Sequence, residues 1–278
     1  QKRFVQNQTM TKAKSIALLA LAFFATMGTS WMSNATAQTT IWEEDFESYS
    51  ANEGVTSNGP YTYTPSNGKW TIETGSSPDH FKVKESGSDL YLEAKETDGL
   101  ATWTSEAIDM TGVTSGTLSF WIDVDNYDNG NGNGGDVINV QVSYDGSGFT
   151  TEYEGNKHTN GTYSVNLDVC SQLQIRVNVD CDRNDEKAYI DDVKIEGCRV
   201  WYADTDGDGF GDASNSTSAC TAPSGYVLDS TDCDDSDSAV GGPTMWYADD
   251  DGDGYGDAND SQSACSAPSG YVLDSTDC

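Results

Sequence analysis

Apolar and polar residues alternate over short stretches between about residue 39 and residue 198. In VINVQVSY, at 137–144, Ile138, Val140, Val142 and Tyr144 share one face and Val137, Asn139, Gln141 and Ser143 the other, and Asp145-Gly146 follows as a turn. The same reading predicts strands at 41–46, 70–73, 81–83, 90–94, 101–105, 117–123, 149–154, 162–167, 173–179 and 188–195. No convincing helical period follows Gln38. Many short strands separated by turn residues predict an all-β jelly-roll sandwich. The strands at 173–179 and 188–195 read as a hairpin around Arg183-Asn184-Asp185.

Ahead of this segment, Lys12 and Lys14 precede an apolar run at 16–25, and Ala35-Thr36-Ala37 offers a cleavage site before Gln38. This is the pattern of a secretory signal peptide starting at Met10. The run falls short of the roughly 20 residues that a spanning helix needs. An exported chain with no transmembrane segment after cleavage is expected, secreted or at the cell surface.

From Trp201 the composition changes. Residues 199–278 hold 17 Asp, no Glu, no Lys and only Arg199 as a basic group. They also repeat: Trp201 to Cys233 aligns without gaps with Trp246 to Cys278, at 27 identities in 33 positions and a period of 45. The expected organisation is a leader at 1–37, a sandwich at 39–198, one repeat at 199–245 and a second, incomplete one at 246–278. The second copy breaks off where the first continues as CDDSDSAVGGP, so a longer protein is expected.

The repeat carries DTDGDGFGD at 204–212 and DDDGDGYGD at 249–257. Calcium takes six to eight oxygen ligands, and an EF-hand loop supplies them from positions 1, 3, 5, 7 (a backbone carbonyl) and 9, with glycine at 6. Counted from Asp204, these are Asp204, Asp206, Asp208, the Phe210 carbonyl and Asp212, with Gly209 at the turn. The second copy gives Asp249, Asp251, Asp253, the Tyr255 carbonyl and Asp257, with Gly254. Position 12 holds Asn215 or Asp260 instead of glutamate, and no amphipathic helix flanks either loop. The missing ligands are expected from a second acidic cluster, Asp229, Asp232, Asp234, Asp235 and Asp237, folded back onto the loop. Magnesium prefers a rigid octahedron and retains its waters, and no histidine or thiolate cluster invites a softer metal.

Two resemblances follow from these residues. FES, GTLSFWIDV, VQVSYDGSGF and YIDDVKIEG, in that order, are similar to the jelly-roll modules of secreted bacterial proteins, of concanavalin-like, MAM-like or carbohydrate-binding type. The DxDxDGxGD loops with Cys and DCDDSD resemble thrombospondin type 3 repeats and MopE-type metal-binding repeats. That second resemblance implies a core-poor chain organised around calcium ions, with the loop aspartates as ligands.

Seven cysteines in an exported chain point to disulfides. Short-range pairing predicts Cys220 with Cys233 and Cys265 with Cys278, and the hairpin reading predicts Cys170 with Cys198, leaving Cys181 over. Trp201, Tyr202, Tyr226 and their counterparts Trp246, Tyr247 and Tyr271 read as small apolar clusters under the loops. Trp42, Trp70, Trp103 and Trp121 read as core, with a carbohydrate face as the competing role. The glycine-rich loop 123–136 offers Asp123, Asp125 and Asp128 as a further candidate site.

A formal charge of −32 argues against nucleic acid as a partner. His80 and His158 lie in no nucleophile motif, and GxSxG, HExxH and P-loop patterns are absent, so no enzyme is expected. The expected function is a noncatalytic calcium-binding protein, adhesive or glycan-binding through the sandwich, with the repeats as a stalk. The alternative is the accessory N-terminal region of a larger secreted hydrolase. Calcium and an extracellular glycan or surface protein are the expected partners.

Overall fold

A computed structural model describes residues 38–277 apart from 57–61, 75–79, 98, 128–135, 156–158, 182 and 184. The leader, Asp128, His158 and Cys278 lie outside the described residues. The first strands are β1 (Thr39–Glu44), β2 (Gly54–Thr56), β3 (Thr62–Tyr63), β4 (Trp70–Thr74), β5 (His80–Ser86) and β6 (Asp89–Lys95). Next come β7 (Ala101–Ser105), β8 (Ile108–Asp109), β9 (Val113–Asp125), β10 (Val137–Tyr144), β11 (Thr150–Glu154) and β12 (Asn160–Leu167). The last are β13 (Gln172–Asp180), β14 (Lys187–Ala203), β15 (Asp212–Ala219), β16 (Tyr226–Val227), β17 (Thr244–Ala248), β18 (Asp257–Ala264) and β19 (Tyr271–Val272).

The chain is all-β, and its first part is a sandwich. One sheet runs β12-β9-β14-β6-β5-β2, with β1, β15 and β16 also on β14; the other runs β11-β10-β13-β7-β4-β3, with β8 on β13. Period-2 alternation decides what lies between them. Phe81, Val83, Leu92, Phe120, Ile122 and Ile190 from the first sheet are buried with Ile72, Trp103, Val140, Ile175 and Val177 from the second. Phe46 stands edge-on to both Trp70 and Trp103, with ring centroids 6.1 Å apart in each case. Trp103→Ala is expected to cost about 3–5 kcal/mol, read from the midpoint of urea unfolding at an unchanged slope.

The expected hairpin between the strands at 173–179 and 188–195 is not formed. β13 and β14 belong to opposite sheets, so the chain passes from one sheet to the other between them. The buried Glu186 carboxylate closes that crossover by accepting from Arg183 N–H at 2.8 Å and Arg183 Nε at 2.6 Å. Alternating apolar residues say that both segments are strands but not which partner each takes, because either sheet satisfies the same pattern.

This correction carries the disulfides with it. Cys170 and Cys181 are both free thiols: Cys181 is left over as expected and lies buried beside Thr97, whereas Cys170 does not meet Cys198. β14 lies against β15, with Arg199 opposite Ala219, so Cys198 bonds to Cys220. The second disulfide joins Cys233 to Cys265. Neither predicted local bond, Cys220–Cys233 or Cys265–Cys278, is made. Each bond instead reaches from one unit to the next, first sandwich to repeat and then repeat to repeat.

The repeats are also more regular than a core-poor wrap. β14 leaves the sandwich without interruption and becomes the central strand of the first repeat, flanked there by β15 and β16. β17 plays the same part between β18 and β19. Trp201 and Trp246 donate Nε1–H to the carbonyls of Ala219 and Ala264, both at 3.0 Å. These aromatics pin the hairpins. The sandwich and the first repeat therefore share a strand, and Thr39 N–H donating to the Cys220 carbonyl at 2.7 Å ties β1 to the same joint.

Candidate functional site

Each acidic loop leaves the central strand of its repeat and returns through a hairpin. In the first, Asp204 accepts from Gly207 N–H at 2.8 Å and Gly209 N–H at 3.3 Å, which turns the chain around its carboxylate. Gly209 has φ 97° and Gly254, its counterpart, φ 94°, a conformation that a Cβ would strain. The turn brings carboxylate oxygens of Asp204, Asp206 and Asp208 within 4.8 Å of one another, and it does the same for Asp249, Asp251 and Asp253. Glycine at the sixth position thus converts a linear acidic run into a convergent one.

The second acidic cluster contributes selectively. Asp232 approaches Asp206 closely enough to repel it, and Asp235 reaches the loop by accepting from Thr205 N–H at 2.7 Å and Thr205 Oγ1 at 2.6 Å. Asp212, Asp229, Asp234 and Asp237 close local turns, accepting from the N–H of Ser214, Thr231, Ser236 and Ala239, and Asp232 also accepts from Asp234 N–H at 2.8 Å. Asp257 does likewise with Asn259. The Phe210 ring packs on Gly241 and Gly242, where an added Cβ at Gly242 would lie 2.5 Å from the ring. Sequence reading missed that contact, although a glycine pair just before the second repeat was its signal.

Among the described residues, Asp206 Oδ2 and Asp232 Oδ2 are both buried and accept no hydrogen bond. Desolvation first, and then the carboxylates of Asp208, Asp232 and Asp204, hold the Asp206 carboxyl above its ordinary pKa, against the hydrogen bond from Asp208 N–H that lowers it. Buried carboxylate oxygens facing other carboxylates are costly unless something positive lies between them. A hard cation with oxygen ligands fits this donor set. The first loop is the more enclosed of the two, because the spacer after Asp232 folds over it. Asp251 and Asp253 remain exposed, and Tyr255 is 50% exposed where Phe210 is half-buried.

In the sandwich, Trp70 and Trp103 are core, Trp42 is half-buried, and Trp121 stands on the outer face of the first sheet. Asp123 and Asp125 are held locally: Asp123 accepts from Val124 N–H and Asp125 from Tyr189 Oη at 2.7 Å. His80 Nε2 lies 2.5 Å from Glu93 Oε1, so this histidine is committed to a hydrogen bond with that carboxylate. Burial raises the Glu93 carboxyl, but His80, Lys187 and Lys84 more than offset it and hold it below the ordinary carboxylate value. A depressed folded-state pKa stabilises the fold above the unfolded glutamate value of about 4.3, and that contribution is lost as pH falls through the folded value. Glu93→Gln is expected to cost about 1–3 kcal/mol at neutral pH and to flatten the acid limb of stability against pH, measured by urea unfolding across pH.

No family model and no curated protein matches this chain. Among solved structures, the K3 cleaved adhesin domain of Lys-gingipain from Porphyromonas gingivalis W83 is 17% identical, with 57% of this chain and 98% of that one covered and a TM-score of 0.35. The CBM22-1 xylan-binding domain of Paenibacillus barcinonensis Xyn10C is 10% identical, with 59% and 97% covered and a TM-score of 0.31. A family 29 carbohydrate-binding module, CBM29-2, is 13% identical, with 41% and 74% covered and a TM-score of 0.28. Likeness this distant identifies no ligand.

Proposed function

We propose that this chain is an exported, noncatalytic calcium-binding protein in which a glycan- or surface-binding sandwich is carried on repeats stiffened by calcium. The observation that supports the metal reading best is the pair of buried, unpartnered oxygens, Asp206 Oδ2 and Asp232 Oδ2, beside the converging carboxylates of Asp204 and Asp208. A cation there takes Asp204, Asp206, Asp208 and Asp232 as ligands and relieves their mutual repulsion. Asp249, Asp251 and Asp253 form the corresponding set in the second loop.

Mechanically, the first site lies at a joint. Asp232 precedes the 234–245 spacer and Asp235 lies within it, Asp208 sits against Gly241, and Phe210 covers Gly242. An ion that fixes the loop therefore fixes the approach of the second repeat. Extracellular calcium modules bind at about 10⁻⁴ to 10⁻³ M, so such sites fill outside a cell and empty inside it. Two interunit disulfides suit the same oxidising compartment.

Calorimetric titration of the calcium-free protein, followed in parallel by circular dichroism, tests this reading. Two ions are expected to bind at millimolar calcium or below, with magnesium a poor competitor. Absence of uptake at millimolar calcium overturns it.

A further inference from the structure

The paths of the two sandwich sheets end on β12 and β2 and on β11 and β3, and three of these four ends resist further pairing. β2 and β3 are three and two residues long, while β11 carries Glu152 and Glu154 and meets β10 with a shift in register. Shortness, charge and irregularity are how an edge avoids adding a strand. β12 has none of them. Its eight residues, NGTYSVNL, hold no charge and no proline and follow β9 from Asn160 to Leu167 without a shift. On a chain of formal charge −32, such an edge lets two copies meet without like charges opposing one another.

The ladder says which backbone groups this edge offers. Val124 N–H donates to the Thr159 carbonyl at 3.2 Å, so the hydrogen-bonded pairs with β9 fall on Gly161, Tyr163 and Val165. The N–H and C=O of Thr162, Ser164 and Asn166 therefore point away from β9, and among the described residues no strand takes them. The free stretch is bounded at both ends, because Asn160 N–H donates to Tyr163 Oη at 3.2 Å and Asp168 N–H to Tyr144 Oη at 3.3 Å. Thr162, Ser164 and Asn166 have exposed side chains, whereas Tyr163 and Val165 pack against the core and stay half-buried.

We infer that β12 pairs antiparallel with β12 of a second copy, about a two-fold axis at Ser164, joining the two first sheets into one. An axis on a residue keeps inner side chains opposite inner ones, which period-2 alternation requires. Ser164 then faces Ser164 of the second copy, and Thr162 faces Asn166, each pair exchanging both of its outward backbone bonds. Between them Tyr163 comes opposite Val165, an aromatic against a β-branched side chain, and the seam covers what each copy leaves half-exposed. Asp168, the first carboxylate past the strand, comes opposite Asn160 rather than another carboxylate. Neither the calcium nor the glycan reading is needed for this pairing.

Sedimentation velocity of the whole chain from micromolar to millimolar concentration tests it. A monomer–dimer equilibrium is expected, weakened about 10- to 100-fold by Ser164→Pro, which removes an outward N–H and no bond to β9. Ser164→Cys is expected to give a covalent dimer under mild oxidation, since residues in a hydrogen-bonded antiparallel pair stand about 5.5 Å apart at Cα, within disulfide reach. Thr162→Cys, which faces Asn166, is expected to give none. The unaltered chain, oxidised alongside, accounts for any crosslink through Cys170, and circular dichroism and thermal melting confirm that the variants are folded. A chain that stays monomeric at every concentration overturns the pairing, as does a dimer that Ser164→Pro leaves unchanged. Equal crosslinking of the two cysteine variants overturns it as well.

Discussion

Asp206→Asn is expected to weaken calcium binding at the first loop by about 10- to 100-fold, because even groups one shell removed from a metal cost that much when altered. Asp232→Asn should have an effect of the same order, although it lies outside the loop and close to the end of the repeat. The two side chains share one situation: a buried oxygen without a hydrogen bond, aimed at neighbouring carboxylates. Asp251→Asn should remove the second site and leave the first unchanged. Calorimetry of the three variants separates these outcomes, since each expected loss is one binding event out of two. An Asp232→Asn protein with unchanged affinity would show that the second acidic cluster merely decorates the turn. For the intact first site, calcium at one hundred times its dissociation constant adds about 2.7 kcal/mol to folding.

The second large effect is expected from the bond between Cys233 and Cys265. It closes a separation of 32 residues, and loop-closure entropy gives such a crosslink about 3–4 kcal/mol. Beneath it there is little else: the second repeat buries Ala248, while Met245, Tyr255 and Leu273 remain exposed. Replacing both cysteines by serine should therefore melt the second repeat separately from the sandwich, turning one unfolding transition into two. Limited proteolysis would then cut at 234–245 first. The sandwich should hold, because its core of Phe46, Trp70, Trp103 and Ile122 makes no use of that bond. A single transition with an unchanged midpoint in the double variant would mean that packing of Phe210 on Gly241 and Gly242 alone couples the repeats.

Both expectations depend on how the units are joined, and the joints are where the sequence was least informative. The strands themselves were legible. The strands at 101–105 and 137–144 are found at their predicted bounds and most others shift by a few residues, because period-2 burial is a local property of the chain; β14 runs on to Ala203, and the short β2, β3 and β8 were not read. The acidic loops were legible for a similar reason. Alternate aspartates with glycine at the sixth position prescribe a turn whatever surrounds it, and the two triads converge accordingly. The strands of the repeats were missed, because the segments at 212–219 and 257–264 are polar on both faces and carry no burial pattern.

What the sequence determined by itself was thus local: an all-β chain, where its strands lie, where it turns, and which carboxylates meet within a loop. Tertiary structure decided the pairings. It put β13 and β14 in opposite sheets, which left Cys170 without Cys198 and gave Cys198 to Cys220. It also brought Asp232 and Asp235 against the first loop, while Asp229, Asp234 and Asp237 close local turns. The physical reason is the same in each case. Alternation fixes which face a side chain occupies, whereas its neighbours on that face come from strands far away in sequence, whose order follows from packing the whole core.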